Sequence, residues 1–377
     1  VFDQFPADFD LRTTCFEDPE GLLNQTRYTQ PCMLAVAMAI TDILAENGIT
    51  PEMTAGLSLG EYSALYCAGV LDRQTAAELI TFRGQAMQKA SEGVESGMTA
   101  ILGLDRELVQ KACDQAQAEG SVCPANFNCP GQIVIGGARR AVDAAAQNAL
   151  LLGARKAVPL TVSGPFHTFF MQPAGDALRE RFKSVHFGEM KIPVVFNCLG
   201  REKTAEESIP ELLERQVQSP VYFWDSIEYM RAQGVDTIVE IGPGKALSAF
   251  VKKTEKAIKT YAVETVEDIE KLCEELPKKG GRVIVRMPLV PGYHDSEEEV
   301  AAGVRFVAGL AGRPELNLLP YHDLGETKYA MIGEEYGLPG VESRNAKDPK
   351  LLALRDLCQR LAPENRVSLG GDAILLD

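Results

Sequence analysis

The run AGLSLGEYSAL, residues 55–65, constrains this chain more than any other stretch. A strand-like segment, MTAG, leads into Gly-Leu-Ser-Leu-Gly, and a helix-compatible run follows. Strand, tight turn, helix is the pattern of a nucleophile elbow, with Ser58 at the bend. The same letters also fit a serine in a glycine-flanked turn, so the neighbours decide. Strands and helices alternate along much of the remaining chain, which makes the fold class α/β.

A serine hydroxyl is a poor nucleophile at neutral pH and needs both a base and donors for the oxyanion it generates. An elbow places the next N–H, that of Leu59, at the start of a helix whose dipole favours negative charge. The chain has four histidines, at 167, 186, 294 and 322. His167 sits in SGPFHT, a Gly-Pro loop of the kind that carries catalytic groups. His186 lies in a polar surface context, and the other two fall in a separate C-terminal segment.

The pattern along the chain predicts a helix over 31–47 opened by Pro31 and stopped by Asn47-Gly48. Its residues are apolar nearly all round, so it should be buried. A strand over 52–57 and a helix over about 72–91 follow. Near 94 the character changes. GMTAILGL and GQIVIGG read as strands alternating with helices, β-α-β-α-β in order, which suggests an inserted α+β subdomain ending near 162. Strands at KIPVVFN and TIVEIG and helices at PVYFWDSIEYMRAQG and KALSAFVKKT come next. A charged seam, EKLCEELPKKGGR, marks a second break. Beyond it the chain predicts strands at RVIVRMPLVPG and LNLLPYH. Ser296 with Glu299 makes a capping box for the helix between them, and two more helices are expected near 326–336 and 348–361.

At 377 residues the chain is long enough for two or three domains. Net charge is −15, which argues against nucleic-acid binding, because that needs a basic face. The nine cysteines are scattered without a C-x-x-C pair, so disulfides and a zinc site are not expected and a reducing cytoplasm fits. No membrane span is expected. ARR at 138–140 and ARK at 154–156 are either basic contacts for a partner or solvated surface.

With these residues in view, the chain from 1 to about 270 resembles the malonyl-CoA:acyl carrier protein transacylases of fatty-acid synthesis. YTQP (28–31), GLSLGEYSAL (56–65), FRGQAMQKA (82–90), GMTAILGL (97–104), NFNCPGQIVIGG (126–137), SGPFHT (163–168), RQVQSPVYF (215–223) and EIGPGKALSAF (240–250) carry the resemblance, in order. It implies an α/β-hydrolase-like parallel sheet formed by 1–93 and 163–270, with a ferredoxin-like subdomain over 94–162 and the site between them. It implies malonyl-CoA and acyl carrier protein as substrates, with no metal or redox cofactor. Ser58 would take the malonyl group as an ester and His167 would serve as its base. The backbone carbonyl of Gln216 would orient His167, and Leu59 would supply an oxyanion N–H. Arg83 would hold the malonyl carboxylate through two parallel hydrogen bonds, which lysine cannot reproduce; read alone it is a solvated helix arginine. Phe166 resembles the malonyl-selective form of the histidine loop, although one bulky neighbour also fits plain packing. Leu57 stands where the family most often has histidine, a variant the chemistry tolerates.

The family opens with a strand and a Gly-Gln-Gly loop whose glutamine gives a second oxyanion N–H. No such motif is present here. Losing one such donor lowers turnover by about 10²–10³, so the expectation is a severely impaired or poorly folded enzyme. From about 277 to 377 the sequence resembles the last third of the radical S-adenosylmethionine activating enzymes of glycyl-radical enzymes. VRMPLVPGYHDSEEE and LLPYHDLGETKYAMIGEEYGLPG carry that resemblance, which implies a partial α/β barrel. The C-x-x-x-C-x-x-C cluster motif is absent from the chain. His322 matches a cofactor-contacting residue of that family and reads here as a stranded remnant. Two rival readings stay open: a serine thioesterase or esterase on the same elbow, and a non-catalytic fusion remnant or binding module.

Overall fold

The computed structural model describes residues 1–2, 5–275, 284–310, 314–321 and 340–370. The chain divides into two compact units, residues 1–42 with 51–264, and residues 43–50 with 265–377. The first unit ends at Glu264, just past its last strand, Lys259–Val263.

The first unit opens with α1 (Leu11–Phe16), capped by Asp10, whose carboxylate accepts the Thr13 N–H. Helix α2 runs Thr26–Glu46 with Pro31 in its interior. That corrects the expected start at Pro31. A proline inside a helix forgoes its own bond and crowds the carbonyl four residues back, yet the turn before it is closed by the Tyr28 and Thr29 N–H groups on the Gln25 carbonyl. By length and mean hydropathy (1.3) α2 would suffice to cross a membrane, yet half of it is buried within the protein. Leu34 and Met38 pack with Tyr62, Leu65 and Ile80 in the main core. It is a core helix, and the all-round apolar pattern has that cause.

Strand β1 (Thr54–Ala55) leads through residues 56–59 into α3 (Gly60–Cys67), and α4 (Arg73–Ser91) follows, capped by Asp72 onto the Thr75 N–H. The inserted part consists of β2 (Ser96–Leu102), α5 (Arg106–Asp114), β3 (Val122–Cys129), β4 (Gln132–Ala138), α6 (Arg139–Leu151) and β5 (Lys156–Pro159). Its sheet order is β3-β4-β2-β5, antiparallel throughout. The order is therefore β-α-β-β-α-β, with one strand more than the pattern reading assigned. VCPANFNC forms β3 and turns back through Pro130-Gly131. Its alternation is masked because nearly every residue is buried. The subdomain has its own core, built from Ile101, Val109, Ile133, Val142 and Ala145.

After α7 (Gln172–Phe182), β6 (Val194–Phe196) pairs in parallel with β1, and β7 (Arg201–Glu202) pairs antiparallel on its other side. Helices α8 (Ile209–Val217) and α9 (Phe223–Ala232), strand β8 (Thr237–Ile241), helix α10 (Ala246–Thr254) and strand β9 (Lys259–Val263) complete the unit. β8 and β9 pair in parallel. Among the described residues the two ladders are not joined into one sheet, unlike the single parallel sheet expected. β1 ends after two residues because the chain bends at Gly56, and Val195 instead packs against Ile238 and Val251 through side chains.

The second unit carries α11 (Val266–Glu275), β10 (Ile284–Leu289), α12 (Glu297–Gly309), β11 (Glu315–Pro320), the helix Pro349–Leu361 and β12 (Val367–Leu369). Its strands lie in parallel order β10-β11-β12 over a core of Leu289, Val304, Leu316, Leu318 and Leu354. Ser296 donates to Glu299 and accepts the Glu299 N–H, as the capping box requires. The helix expected near 326–336, and His322, lie outside the described residues.

Candidate active site

Ser58 sits between β1 and α3 with φ +56°, a left-handed conformation that non-glycine residues rarely adopt. Gly56 makes the bend possible, because a Cβ there would stand 2.0 Å from the Gly60 carbonyl. Gly60 itself has open space around its Cα. Leu59 is the N-cap of α3, so its N–H belongs to the donors that a helix start leaves without intrahelical partners. The bend thus lifts the Ser58 hydroxyl off the backbone and sets a helix N-terminus beside it.

His167 arrives from the loop after β5, also with positive φ (+60°) and buried. Among the described residues the only other non-glycine with positive φ is Asp18. Backbone strain is thereby concentrated at Ser58 and His167, as it often is at functional sites. His167 Nε2 lies 2.7 Å from Ser58 Oγ, and Nδ1 lies 2.9 Å from the Gln216 carbonyl. A carbonyl only accepts, so Nδ1 carries the proton and Nε2 is free to accept the Ser58 O–H. Gln216 is buried near the end of α8. Burial, with the Arg83 charge adding to it, lowers the His167 pKa from its ordinary value to about 4.

Arg83 projects from α4 and is fully buried. Its Nη1 donates to Gln30 Oε1 at 2.5 Å, and its Nη2 donates to Gln216 Oε1 at 2.9 Å and to Ser58 Oγ at 3.2 Å. All three partners are neutral. Its Nε is buried without a partner, and the guanidinium lies over the Tyr62 ring, 5.5 Å from the centroid. Such a cation favours an incoming anion, since desolvation has already been met. The solvated-arginine reading is therefore wrong for its environment.

The structure brings Ser58, His167, Gln216 and Arg83 into one hydrogen-bonded cluster, with Leu59 adjoining. Phe166 is half-buried and packs beside Met98 and Ala100 of the inserted sheet. Leu57 packs toward Val195 and Ile227, so the site does not use it. His186 and His294 are exposed. Arg140, Arg155 and Lys156 are exposed on the inserted subdomain, while Arg139 is half-buried against Gly97.

Four residues of the cluster received no role from the sequence. Gln30 stands in the quoted YTQP run; it orients Arg83 and is held by its own bond to Thr26 Oγ1 at 2.7 Å. Tyr62 lies under the guanidinium. Asn197 accepts the Ser58 N–H at 2.6 Å, and Glu61 accepts the Asn197 N–H at 2.6 Å. Glu61 is fully buried, and that burial pushes its carboxyl up to about 8 despite the Asn197 N–H and the Arg83 charge. Glu61 and Tyr62 fall inside GLSLGEYSAL, but as an acidic helix start and a core aromatic they carried no distinct signal.

Residues 4–275 match the acyl transferase domain family. A malonyl CoA-acyl carrier protein transacylase of Bacillus subtilis is 41% identical over 270 residues, 71% of this chain and 85% of that protein. The crystal structure of a malonyl CoA-acyl carrier protein transacylase from Clostridium perfringens superposes with a TM-score of 0.69 at 40% identity, over 72% of this chain and 86% of that one. A malonyl-transacylase solved in complex with a type II PKS acyl-carrier protein matches with a TM-score of 0.67 at 39% identity, over 70% and 86%. On residues 4–275 the chain belongs to the acyl transferase domain family, in the company of the malonyl CoA-acyl carrier protein transacylases.

Proposed function

We propose that this chain transfers a malonyl group from malonyl-CoA to the phosphopantetheine thiol of acyl carrier protein, in fatty-acid biosynthesis, through a malonyl-Ser58 ester. The observation that carries the reading is the double contact at Ser58 Oγ: His167 Nε2 at 2.7 Å and Arg83 Nη2 at 3.2 Å. The names of the relatives support the substrates.

In the first half-reaction His167 Nε2 takes the Ser58 proton as Oγ attacks the thioester carbonyl. The oxyanion faces the Leu59 N–H at the start of α3. Collapse expels the CoA sulfur, which leaves with the proton held by His167. In the second half, the carrier thiol gives its proton to His167 and attacks the ester; Ser58 departs and recovers that proton. The Gln216 carbonyl holds Nδ1–H throughout, so the same ring nitrogen faces both thiols. Arg83 receives the free malonyl carboxylate. Its 3.2 Å contact with Ser58 is the longest of its three and is the one a carboxylate would displace.

A hydrolase on the same elbow has no use for a buried guanidinium with neutral partners, which favours transfer over the thioesterase reading. The βαββαβ order supports reading 94–162 as a ferredoxin-like subdomain, set within an α/β-hydrolase-like large subdomain of 1–93 and 163–270. The parallel order β10-β11-β12 with helices between the strands supports reading 277–377 as a partial α/β barrel of the activating-enzyme type.

Intact mass spectrometry of the 377-residue chain after mixing with malonyl-CoA tests the function. We expect a single malonyl adduct, absent in Ser58→Ala and discharged by holo-acyl carrier protein. A stoichiometric adduct accumulates even where turnover is lowered by about 10²–10³. No adduct on the unmodified chain would leave the binding-module reading in its place.

A further inference from the structure

The pairing of β1 with β6 sets Thr54 opposite Val194 and Ala55 opposite Val195. Two steps further, this register sets Leu57 opposite Asn197. A regular parallel ladder would there use the Asn197 backbone: its N–H would donate to the Gly56 carbonyl and its C=O would accept the Ser58 N–H. The chain cannot continue the ladder, because it turns away at Gly56 and enters positive φ at Ser58.

The Asn197 side chain takes over both bonds. Its Nδ2 donates to the Gly56 carbonyl at 2.5 Å, and its Oδ1 accepts the Ser58 N–H at 2.6 Å. The displaced backbone groups are satisfied elsewhere. The Asn197 N–H donates to Glu61 Oε2 at 2.6 Å, and its carbonyl accepts the Tyr222 N–H at 2.8 Å. Asn197 and Glu61 are both buried, with Glu61 in the first turn of the helix that the elbow starts. Among short side chains, a primary amide offers a donor and an acceptor side by side whatever the pH, as the peptide does.

We propose that Asn197, seated by Glu61, is a positioning residue that substitutes for one rung of the β1–β6 ladder and holds Ser58 in its left-handed conformation, with Oγ addressed to His167. The inference rests on the reading of Ser58 as the nucleophile. Asn197→Leu keeps the size but offers neither the acceptor for the Ser58 N–H nor the donor for the Gly56 carbonyl. Asn197→Ala removes both bonds.

The test uses a reagent independent of malonyl chemistry: a fluorophosphonate probe, which phosphonylates an activated serine with loss of fluoride. Both Asn197 variants are expected to slow labelling of Ser58, and its malonylation, by about 100-fold, the scale of a displacement near 1 Å. Malonyl-CoA affinity, measured by calorimetry in the Ser58→Ala background with and without the Asn197 change, is expected to stay the same. If neither Asn197 variant folds by circular dichroism, Glu61→Ala serves instead, expected to slow labelling about tenfold through one lost hydrogen bond, with Glu61→Gln recovering most of the rate. Unslowed labelling overturns the proposal. So does a parallel loss of labelling and binding, which would mark a merely structural role. A chain that takes the probe but no malonyl group overturns the functional reading alone, and the lock is then judged on the probe rates. A chain that takes neither overturns both.

Discussion

Removal of the Arg83 guanidinium is the sharpest perturbation of the proposed chemistry. Arg83 is fully buried and, among the described residues, bonded only to Gln30, Gln216 and Ser58. In Arg83→Ala an arriving malonyl carboxylate would enter a buried site with no cation to meet it. Leaving one partner of a buried ion pair alone costs about 3–5 kcal/mol. At about 1.4 kcal/mol per tenfold, malonyl loading should fall by more than 100-fold and up to several thousand-fold. Acetyl-CoA brings no carboxylate. Its loading should change only through the lost 3.2 Å contact to Ser58 Oγ, a long bond from a charged donor at the low end of about 1.5–3 kcal/mol, or roughly tenfold in rate. Stability should fall, because the cavity left by the largest fully buried side chain adds to two lost hydrogen bonds and only the relief of a buried cation offsets them. The Gln30 and Gln216 side-chain oxygens each lose a donor, at about 1–3 kcal/mol apiece, while a buried cation with neutral partners disappears. Rates of Ser58 acylation by the two thioesters, followed by intact mass, check the prediction, with the thermal midpoint as control. Arg83→Lys should fall between, since an ammonium cannot span Gln30, Gln216 and the substrate at once. Equal losses for malonyl and acetyl groups would refute the assignment.

Three further outcomes follow from the same geometry. The base form of His167 is needed for acylation, and its pKa is lowered to about 4, by burial first and by Arg83 second. The acetyl-CoA acylation rate should therefore hold on the acid side and bend near pH 4; in Arg83→Ala the bend should move up while staying below 6.5, and a bend at 6.5 in the unmodified chain would contradict the burial argument. Since the unfolded chain takes up this histidine proton at its ordinary 6.5, His167 should also make stability fall as pH drops from about 6.5 towards 4. The two motif glycines should respond in opposite ways: Gly56→Ala, whose Cβ would overlap the Gly60 carbonyl at 2.0 Å, should abolish Ser58 labelling and lower the thermal midpoint, whereas Gly60→Ala, with open space, should retain both. A tolerated Gly56→Ala would mean that the bend is not held as described.

Features confined to one stretch of chain were legible, because adjacency in sequence guarantees adjacency in space. The strand–turn–helix at 54–67 needs only local letters, and the capping box at Ser296–Glu299 spans three residues. Misreadings came where burial or tertiary contact overrode local rules. Pro31 signalled a helix start, yet α2 begins at Thr26, since the core that Leu34 and Met38 build outweighs the about 3 kcal/mol that a proline inside a helix costs. VCPANFNC showed no alternation because both of its faces are covered.

The site divides along the same line. Ser58, His167, Arg83 and Gln216 stand in runs whose resemblance marks them, and the structure gathers them within hydrogen-bonding distance of one another. Asn197 stands in an equally short run, IPVVFNC, that says only "strand, then turn". Its partner Ser58 is 139 residues away. What singles Asn197 out is a relation: a parallel register fixed at Thr54–Val194, a glycine that ends β1 two residues later, and a side chain long enough to reach the peptide its own backbone no longer meets. No window of sequence contains that relation, since it needs both strands placed and the bend already made. A polar residue buried just past the end of a strand that pairs with an elbow strand is therefore a better place to look for nucleophile positioning than the letters that flank the nucleophile. A buried amide there must either replace a rung or leave several polar groups without partners.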